Sequence, residues 1–255
     1  MNAKILLCDD TLEGLFSTIY ISYLKHYDHE TTRINCKDNY EMELFCDFEE
    51  CGTSYEYAKK VARTIIREFG IDCYNMIYSA FFSWCEDRFN CVYHMVVHGF
   101  SMRNRKNLAI DYANKYVTKV FDMARGVEKE YANYRGFLRF SQIKNGVLFS
   151  KIRPKNNIIS FLAPHFSDRL VMEDFIIYDE ERRLFLLHEK RKECIIIIGE
   201  ELDKDILSDI SDDEIMYQEL YKHFVNVIGI RERKNDKLRR QMLPLRYRDN
   251  LTEFM

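Results

Sequence analysis

Two residues spaced four apart, His165 and Arg169, are the side chains in this sequence whose types most suggest chemistry. On a helix this spacing places them on one face, with Asp168 close by. An imidazole transfers protons near neutral pH and a guanidinium binds anions. The turn therefore predicts an acid–base or anion-binding site in which His165 is the candidate catalytic residue. Pro164 is expected to kink the helix and expose this turn. Capping of a helix end is the structural alternative.

A second polar residue, Arg139, lies in an apolar segment shortly before the dipeptide Asn145-Gly146. Asn-Gly between apolar runs is the strongest short signal of a β-hairpin, here with a two-residue type I′ loop. In that register Arg139 faces Ile152 on the apolar side. A buried guanidinium needs an anionic partner, because an unpaired buried charge is very costly. An internal ion pair to Asp168 or Asp179 and a bound phosphate both satisfy this requirement.

Cys91, His94 and His98 fall on one stripe of a predicted helix, and two histidines four apart can bind zinc. Apolar residues surround them and the glutamate of an HExxH motif is missing, so we expect packing rather than a metal site. The sequence also lacks CxxC pairs, Walker A, GxGxxG, GxSxG and DxDxDG motifs, and the CxxxCxxC of radical-SAM enzymes. We therefore expect no metal and no cofactor in this chain.

Charge is distributed unevenly along the 255 residues, although the net charge is only −3. Residues 1–50 hold 4 Lys/Arg against 11 Asp/Glu. Residues 101–155 hold 13 against 4, and residues 231–248 hold 8 against 2. Either one face binds an anion, or the acidic and basic segments neutralise each other within the protein.

The composition excludes disordered and fibrous classes, since 47% of the residues are hydrophobic and there are only 9 Gly and 3 Pro. No apolar run is long enough for a membrane span, so no membrane partner is expected. Asp9 and Asp10 interrupt the N-terminus before a secretory apolar region could form. A cytoplasmic location, with all eight cysteines reduced, is the expectation.

Hydrophobic periodicity predicts an α+β fold. Residues 1–134 form a mainly helical region with one or two short strands, and residues 135–255 form an α+β region of order ββαβββα plus a basic tail. We expect an antiparallel sheet with helices packed on it, and the two regions can form one integrated domain. The expected elements are a strand over 4–8, a loop with a short strand over 28–52, helices over 11–26, 54–69, 72–86, 88–99, 106–134 and 213–229, and strands over 175–178, 184–188 and 194–198.

Three segments of this sequence resemble a bacterial family of probable DNA-metabolism proteins that carries domain of unknown function 4130. They read CDDTLEGLFSTIYISY, YRGFLRFSQIKNGVLFSKIRPKNNIISFLAPHFSDRL and IGIRERKNDKLRRQMLPLRYRDNLTEF, in family order and over nearly the whole chain. The pair GFLRF and LAPHFxxRL is the most specific part. The resemblance implies work on DNA beside a radical-SAM protein proposed to modify or repair DNA. The family domain also occurs fused to uracil-DNA-glycosylase-type domains.

The family's RF, HFxxR and PxRY patterns fall on Arg139-Phe140, on His165, Phe166 and Arg169, and on Pro244, Arg246 and Tyr247. Two positions depart from the family. A histidine common before GF is absent from EYANYRG, which has Ala132, and Arg248 stands where tryptophan is common. If that histidine is catalytic in other members of the family, this protein lacks the catalytic residue. The glycosylase portion is absent too, so base excision by this chain alone is not expected.

These observations favour a DNA-binding accessory protein that works with a radical-SAM partner and has no independent catalytic activity. Tyr134 or Tyr247 would be available to stack on bases. The alternatives are a nucleotide- or base-processing enzyme with His165 as acid or base, and a protein-interaction scaffold whose basic segments pair with its own acidic head. The predicted nucleic-acid-binding residues are Arg139, Lys151, Arg153, His165, Arg169, Arg246, Tyr247 and Arg248.

Overall fold

A computed structural model describes residues 3–199, 210–228, 235–248 and 251–254. The chain divides into two compact units, residues 1–128 and 129–255. Over the residues with a described structure, no helix combines the length and the apolarity needed to cross a membrane.

The first unit contains a three-stranded parallel sheet in the order β2-β1-β3. Strand β1 (Ala3–Cys8) pairs with β2 (Thr32–Cys36) on one side and β3 (Cys46–Glu50) on the other. The last four residues of β1 are all buried, which explains their continuous apolar run, as is typical of a central parallel strand. The predicted loop with one short strand over 28–52 thus holds two strands.

Five helices belong wholly or partly to this unit: α1 (Leu12–Leu24), α2 (Tyr55–Phe69), α3 (Ile71–Phe81), α4 (Arg88–Ser101) and α5 (Lys115–Phe137). Thr11 and Ser54 cap α1 and α2 by accepting hydrogen bonds from backbone N–H groups.

The prediction of one long helix over 106–134 is wrong at both ends. Arg105–Ile110 forms a 3₁₀ helix instead. The Asn114 side chain then accepts from the N–H groups of Tyr116 and Val117, so α5 begins only at Lys115. At its other end α5 continues through Gly136 to Phe137, where the sequence predicts a strand.

The cysteine and two histidines of α4 have separate partners. The Cys91 thiol donates to Asp87, the His94 ring stacks on Tyr116, and His98 Nε2 lies 2.7 Å from Asp111 Oδ2. Among the residues that the structure describes, no group of three or more His, Cys, Asp or Glu side chains is arranged to hold a metal ion.

The second unit is built on a five-stranded sheet in the order β4-β5-β6-β7-β8. Its strands are β4 (Ser141–Gln142), β5 (Leu148–Ile152), β6 (Phe175–Asp179), β7 (Leu184–His188) and β8 (Ile195–Ile198). The sheet is mixed, not antiparallel as predicted, because helix α6 (Ile159–Arg169) crosses over and brings β6 parallel to β5. Buried Ile159, Leu162 and Phe166 provide the apolar side of α6.

The hairpin at Asn145-Gly146 exists, but its register is shifted by one residue from the prediction. Ser141 pairs with Phe149, and Ile143 N–H donates to the Val147 carbonyl, which leaves a three-residue loop. Gly146 has φ of +87° in this loop, a conformation that glycine adopts without strain. Arg139 precedes the paired residues and does not face Ile152.

Beyond the sheet lie α7 (Asp212–Ile228), α8 (Asp236–Met242) and two short 3₁₀ helices, Leu245–Tyr247 and Thr252–Phe254. The α7 helix confirms the predicted helix over 213–229, except that its predicted last residue, 229, lies outside the described residues. So do residues 231–234 of the predicted basic tail.

A candidate anion-binding site

A small cavity of about 130 Å³ in the second unit is lined by residues from three elements. The last turn of α5 and the residue after it provide Tyr134, Phe137 and Leu138. The end of β5 provides Lys151, Ile152 and Arg153, and the 3₁₀ helix at 245–247 provides Arg246 and Tyr247. Four of the eight predicted nucleic-acid-binding residues, Lys151, Arg153, Arg246 and Tyr247, thus meet at one cavity. Among the residues that the structure describes, no carboxylate lines the cavity.

Two of the three cations share one carboxylate outside the lining. Lys151 Nζ lies 3.6 Å from Glu180 Oε1, and Arg153 forms a short ion pair with Glu180 Oε2. The hydrogen bond from Arg153 lowers the pKa of Glu180. The side chains of Lys151 and Arg153 are 32% and 53% exposed, so both remain accessible to an anion from solution.

The third cation, Arg246, is held by a buried carboxylate that sequence reasoning missed. Glu130 is only 2% exposed, and its oxygen lies 3.1 Å from Arg246 Nη1. Glu130 also accepts from the backbone N–H groups of Lys155 and Asn156 and from the Asn156 side-chain amide, at 2.7–3.0 Å. This carboxylate links three segments: α5, the segment after β5, and the 3₁₀ helix at 245–247.

Both tyrosine hydroxyls already accept hydrogen bonds from protein donors. Tyr134 Oη accepts from Arg153 N–H at 3.2 Å. Tyr247 Oη accepts from the Asn133 side chain at 3.1 Å and from the Arg246 guanidinium. Burial raises the pKa of Tyr134, so its hydroxyl stays protonated at neutral pH. A tyrosine hydroxyl that accepts a hydrogen bond still has its own proton to donate, so both hydroxyls are of a type that can donate to a ligand.

The two tyrosine rings do not have the predicted stacking role. Tyr134 and Tyr247 are each 5% exposed, and their rings contact one another edge to face with centroids 5.0 Å apart. A base cannot lie flat on rings that are buried against each other. The prediction that either ring stacks on a nucleobase is therefore wrong.

A second, more open depression borders the cavity and shares Arg153 with it. Two further cations, Lys155 and Arg182, and one carboxylate, Glu181, line it. Arg182 donates to the Pro154 carbonyl at 3.0 Å and lies 3.2 Å from Asp179. Asp179 is fully buried, and this burial is the main cause that raises its pKa. Lys155 and Arg182 thus add two cations next to the cavity, and neither is in the predicted set.

His165 and Arg169 lie on α6 after Pro164, as predicted, but they do not line the cavity. The Nε2 atom of His165 is buried and has no hydrogen-bond partner among the described residues. Its pKa is lowered by burial and by the nearby positive charges of Arg135 and Arg169. Arg135, on α5, was not in the predicted set, because only the folded chain brings it near α6.

The two remaining predicted residues bind the protein's own backbone. Arg139 is exposed and donates to the carbonyls of Gly136 and Leu138, where α5 ends. The predicted burial of its guanidinium is wrong, and Asp179 pairs with Arg182 rather than with it. Arg248 donates to the Leu243 carbonyl and lies over the Phe254 ring.

Comparison with known proteins gives one family match. The model of a domain of unknown function, DUF4130, matches residues 86–253, which is well over half of the chain. The match includes every residue that lines the cavity. No curated protein matches the chain. Since the match runs from the start of α4 nearly to the C-terminus, the chain belongs to the DUF4130 domain family.

Proposed function

We propose that this protein binds DNA through the cavity at Lys151, Arg153 and Arg246, and acts in DNA repair or DNA metabolism as an accessory protein. The observation that carries the proposal is the set of donors around the cavity. Three cations and two tyrosine hydroxyls converge there, and no carboxylate of the described residues lines the cavity. Such a site complements an oxyanion, and phosphates are the oxyanions that DNA presents. The resemblance of the sequence to probable DNA-metabolism proteins makes DNA the favoured anion.

Phosphate contacts, rather than base contacts, account for the binding that this site offers. The rings of Tyr134 and Tyr247 are buried, so they add no stacking. Contacts from Lys and Arg to phosphates release condensed counterions, which makes affinity fall steeply with salt. Binding through this cavity is therefore sensitive to salt and tolerant of sequence.

Titration of salt against binding of fluorescent DNA oligonucleotides tests the proposal. We expect binding at low salt, with a slope of log K against log [salt] of about −2 to −3 if three cations meet phosphates. The slope is measured by fluorescence anisotropy between about 50 and about 200 mM salt. Lys192→Gln, which removes an exposed cation paired with Glu189, serves as the control and should bind like the wild type. Absence of binding at the lowest salt would contradict the proposal.

The partner part of the proposal is supported by one exposed apolar surface. Helix α7 carries large apolar side chains that are 41–67% exposed, an arrangement typical of protein interaction sites. They are Ile215, Met216, Tyr217, Leu220, Tyr221, Phe224, Val227 and Ile228. We propose that a radical-SAM protein that modifies or repairs DNA, the partner implied by the resemblance, binds here.

Co-purification with a radical-SAM protein from the same organism, of the kind that the resemblance implies, tests the partner. We expect the two to co-purify, and a Leu220→Glu/Phe224→Glu double variant to lose the partner, because two charges would enter the apolar contact. Glu219→Gln, an exposed change on the same helix, is the matched control. If the double variant retains the partner as well as the control does, α7 is not the contact surface.

A second candidate function, an enzyme that processes a nucleotide or base, rests on His165. Its lowered pKa keeps the imidazole neutral and able to accept a proton at pH 7, and its Nε2 has no described partner. An NMR titration should give a midpoint below the ordinary value of 6.5. Arg169→Gln should move it upward, because a neighbouring positive charge is removed. A midpoint at or above 6.5 in the wild type would argue against this base.

A further inference from the structure

The volume of the cavity limits what it can enclose. Its volume is about 130 Å³. Pockets that enclose whole small molecules measure roughly 300–1,000 Å³. The cavity is thus too small for a nucleoside, but its size suits one tetrahedral phosphate group.

The arrangement of the walls favours the end of a strand over its middle. Polar side chains of α5, of the end of β5 and of the 3₁₀ helix at 245–247 line the cavity. A bound phosphate would therefore contact three elements. Phe137, Leu138 and Ile152 occupy the rest of the lining. A phosphodiester inside a strand carries a sugar on two of its oxygens, and both sugars must leave the site. A phosphate monoester carries only one.

The number of donors also suits a monoester. A terminal phosphate has three unsubstituted oxygens and a charge between −1 and −2 near pH 7. Lys151, Arg153 and Arg246 carry positive charge to the cavity. Tyr134 and Tyr247 add two hydroxyls, groups that can donate their own proton while they accept. An internal phosphodiester offers two unsubstituted oxygens and a single charge, so it would use fewer of these donors.

We infer that the cavity binds a phosphate monoester at the end of a nucleic-acid strand. This inference rests on the proposed function and narrows it. The protein would recognise strand ends, such as those at a nick or a break, rather than continuous duplex. The cations that line the adjacent depression, among them Arg182, would then contact phosphates further along the strand.

Matched oligonucleotides that differ only in their ends test the inference. The same fluorescent DNA sequence is prepared with a hydroxyl or a phosphate at the 5′ end, and likewise at the 3′ end. Binding to the full-length protein is measured by anisotropy at one salt concentration. We expect one phosphorylated end to bind about tenfold more tightly than its hydroxyl counterpart, as one added charge-assisted contact would give. Inorganic phosphate should compete for that end at millimolar concentration and leave the hydroxyl-ended DNA bound.

Two variants assign the preference to the cavity. Arg153→Gln removes a partly exposed cation, and Tyr247→Phe removes one hydroxyl while keeping the buried ring. Each should reduce the preference for the phosphorylated end, while Lys192→Gln should keep it. Equal affinity for phosphate and hydroxyl ends in the wild type would overturn the inference and leave DNA binding standing. A preference that both cavity variants retain in full would also overturn it. Absence of binding to every oligonucleotide would instead refute the proposed function itself.

Discussion

Replacing Glu130 with alanine should lower the free energy of unfolding by about 3–5 kcal/mol, because a buried acceptor is removed from several donors at once. The carboxylate is 2% exposed. It accepts from Lys155 N–H, Asn156 N–H and the Asn156 amide, and it pairs with Arg246. Alanine leaves these groups without an acceptor and also leaves a cavity. Urea unfolding followed by circular dichroism measures the loss.

The neighbouring Lys129 provides the control, because it is exposed on the same turn of α5. Lys129→Ala should change the unfolding free energy by no more than about 0.5 kcal/mol. Amide hydrogen exchange in β5 gives a local readout, and Glu130→Ala should accelerate it. If Glu130→Ala proves as mild as Lys129→Ala, the buried carboxylate does not organise the second unit. Glu130→Ala should also weaken DNA binding, since Arg246 loses the group that positions it.

Local sequence patterns were sufficient to predict most of the helices and the strands β6, β7 and β8. Thr11 and Ser54 mark the starts of α1 and α2 because their side chains bond the first free N–H groups, a purely local effect. Strands β2 and β3 were harder to find. In TRINC buried residues alternate with more exposed ones, but in CDFEE no residue is buried. The acidic composition of the segment resembles that of a loop.

The hairpin shows how a correct motif can still give a wrong register. Asn145-Gly146 fits a two-residue loop and a three-residue loop ending in a left-handed glycine equally well. The structure has the longer loop, and a one-residue shift moves every side chain to the opposite face. The predicted burial of Arg139 depended on that register. The continuation of α5 to Phe137 then removed Arg139 from the paired strand altogether.

The cations of the candidate site were predictable from the sequence, but the residues that hold them in place were not. Lys151, Arg153 and Arg246 stand out because they lie in basic segments. Glu130 and Tyr134 are two of many polar residues along α5, and nothing in the local sequence distinguishes Glu130 from Glu128. Their roles depend on contacts with residues far along the chain, Arg246 and Arg153, which no local pattern reveals.

Opposite changes at one ion-pair cluster should shift DNA affinity in opposite directions. Lys151→Gln/Arg153→Gln should weaken binding about 100-fold at low salt, because two contacts to charged groups are lost. The slope of log K against log [salt] should become shallower by about 1.4–1.8. Both cations lie against Glu180, which competes with a bound phosphate for them. Glu180→Gln should therefore tighten binding, by about threefold to tenfold.

The pair of variants separates a binding role from a structural one. Loss of structure in the double variant would weaken binding, but loss of structure in Glu180→Gln could not strengthen it. The half-exposed ion pairs of Glu180 contribute little stability, so both variants should unfold within about 1 kcal/mol of the wild type. Anisotropy titrations at matched salt, with urea unfolding of the same samples, provide the measurement. Weaker binding by Glu180→Gln would mean that Glu180 positions the cations for the phosphate rather than competing with it. The cavity at Lys151, Arg153 and Arg246 would then need this neighbouring carboxylate in order to bind DNA.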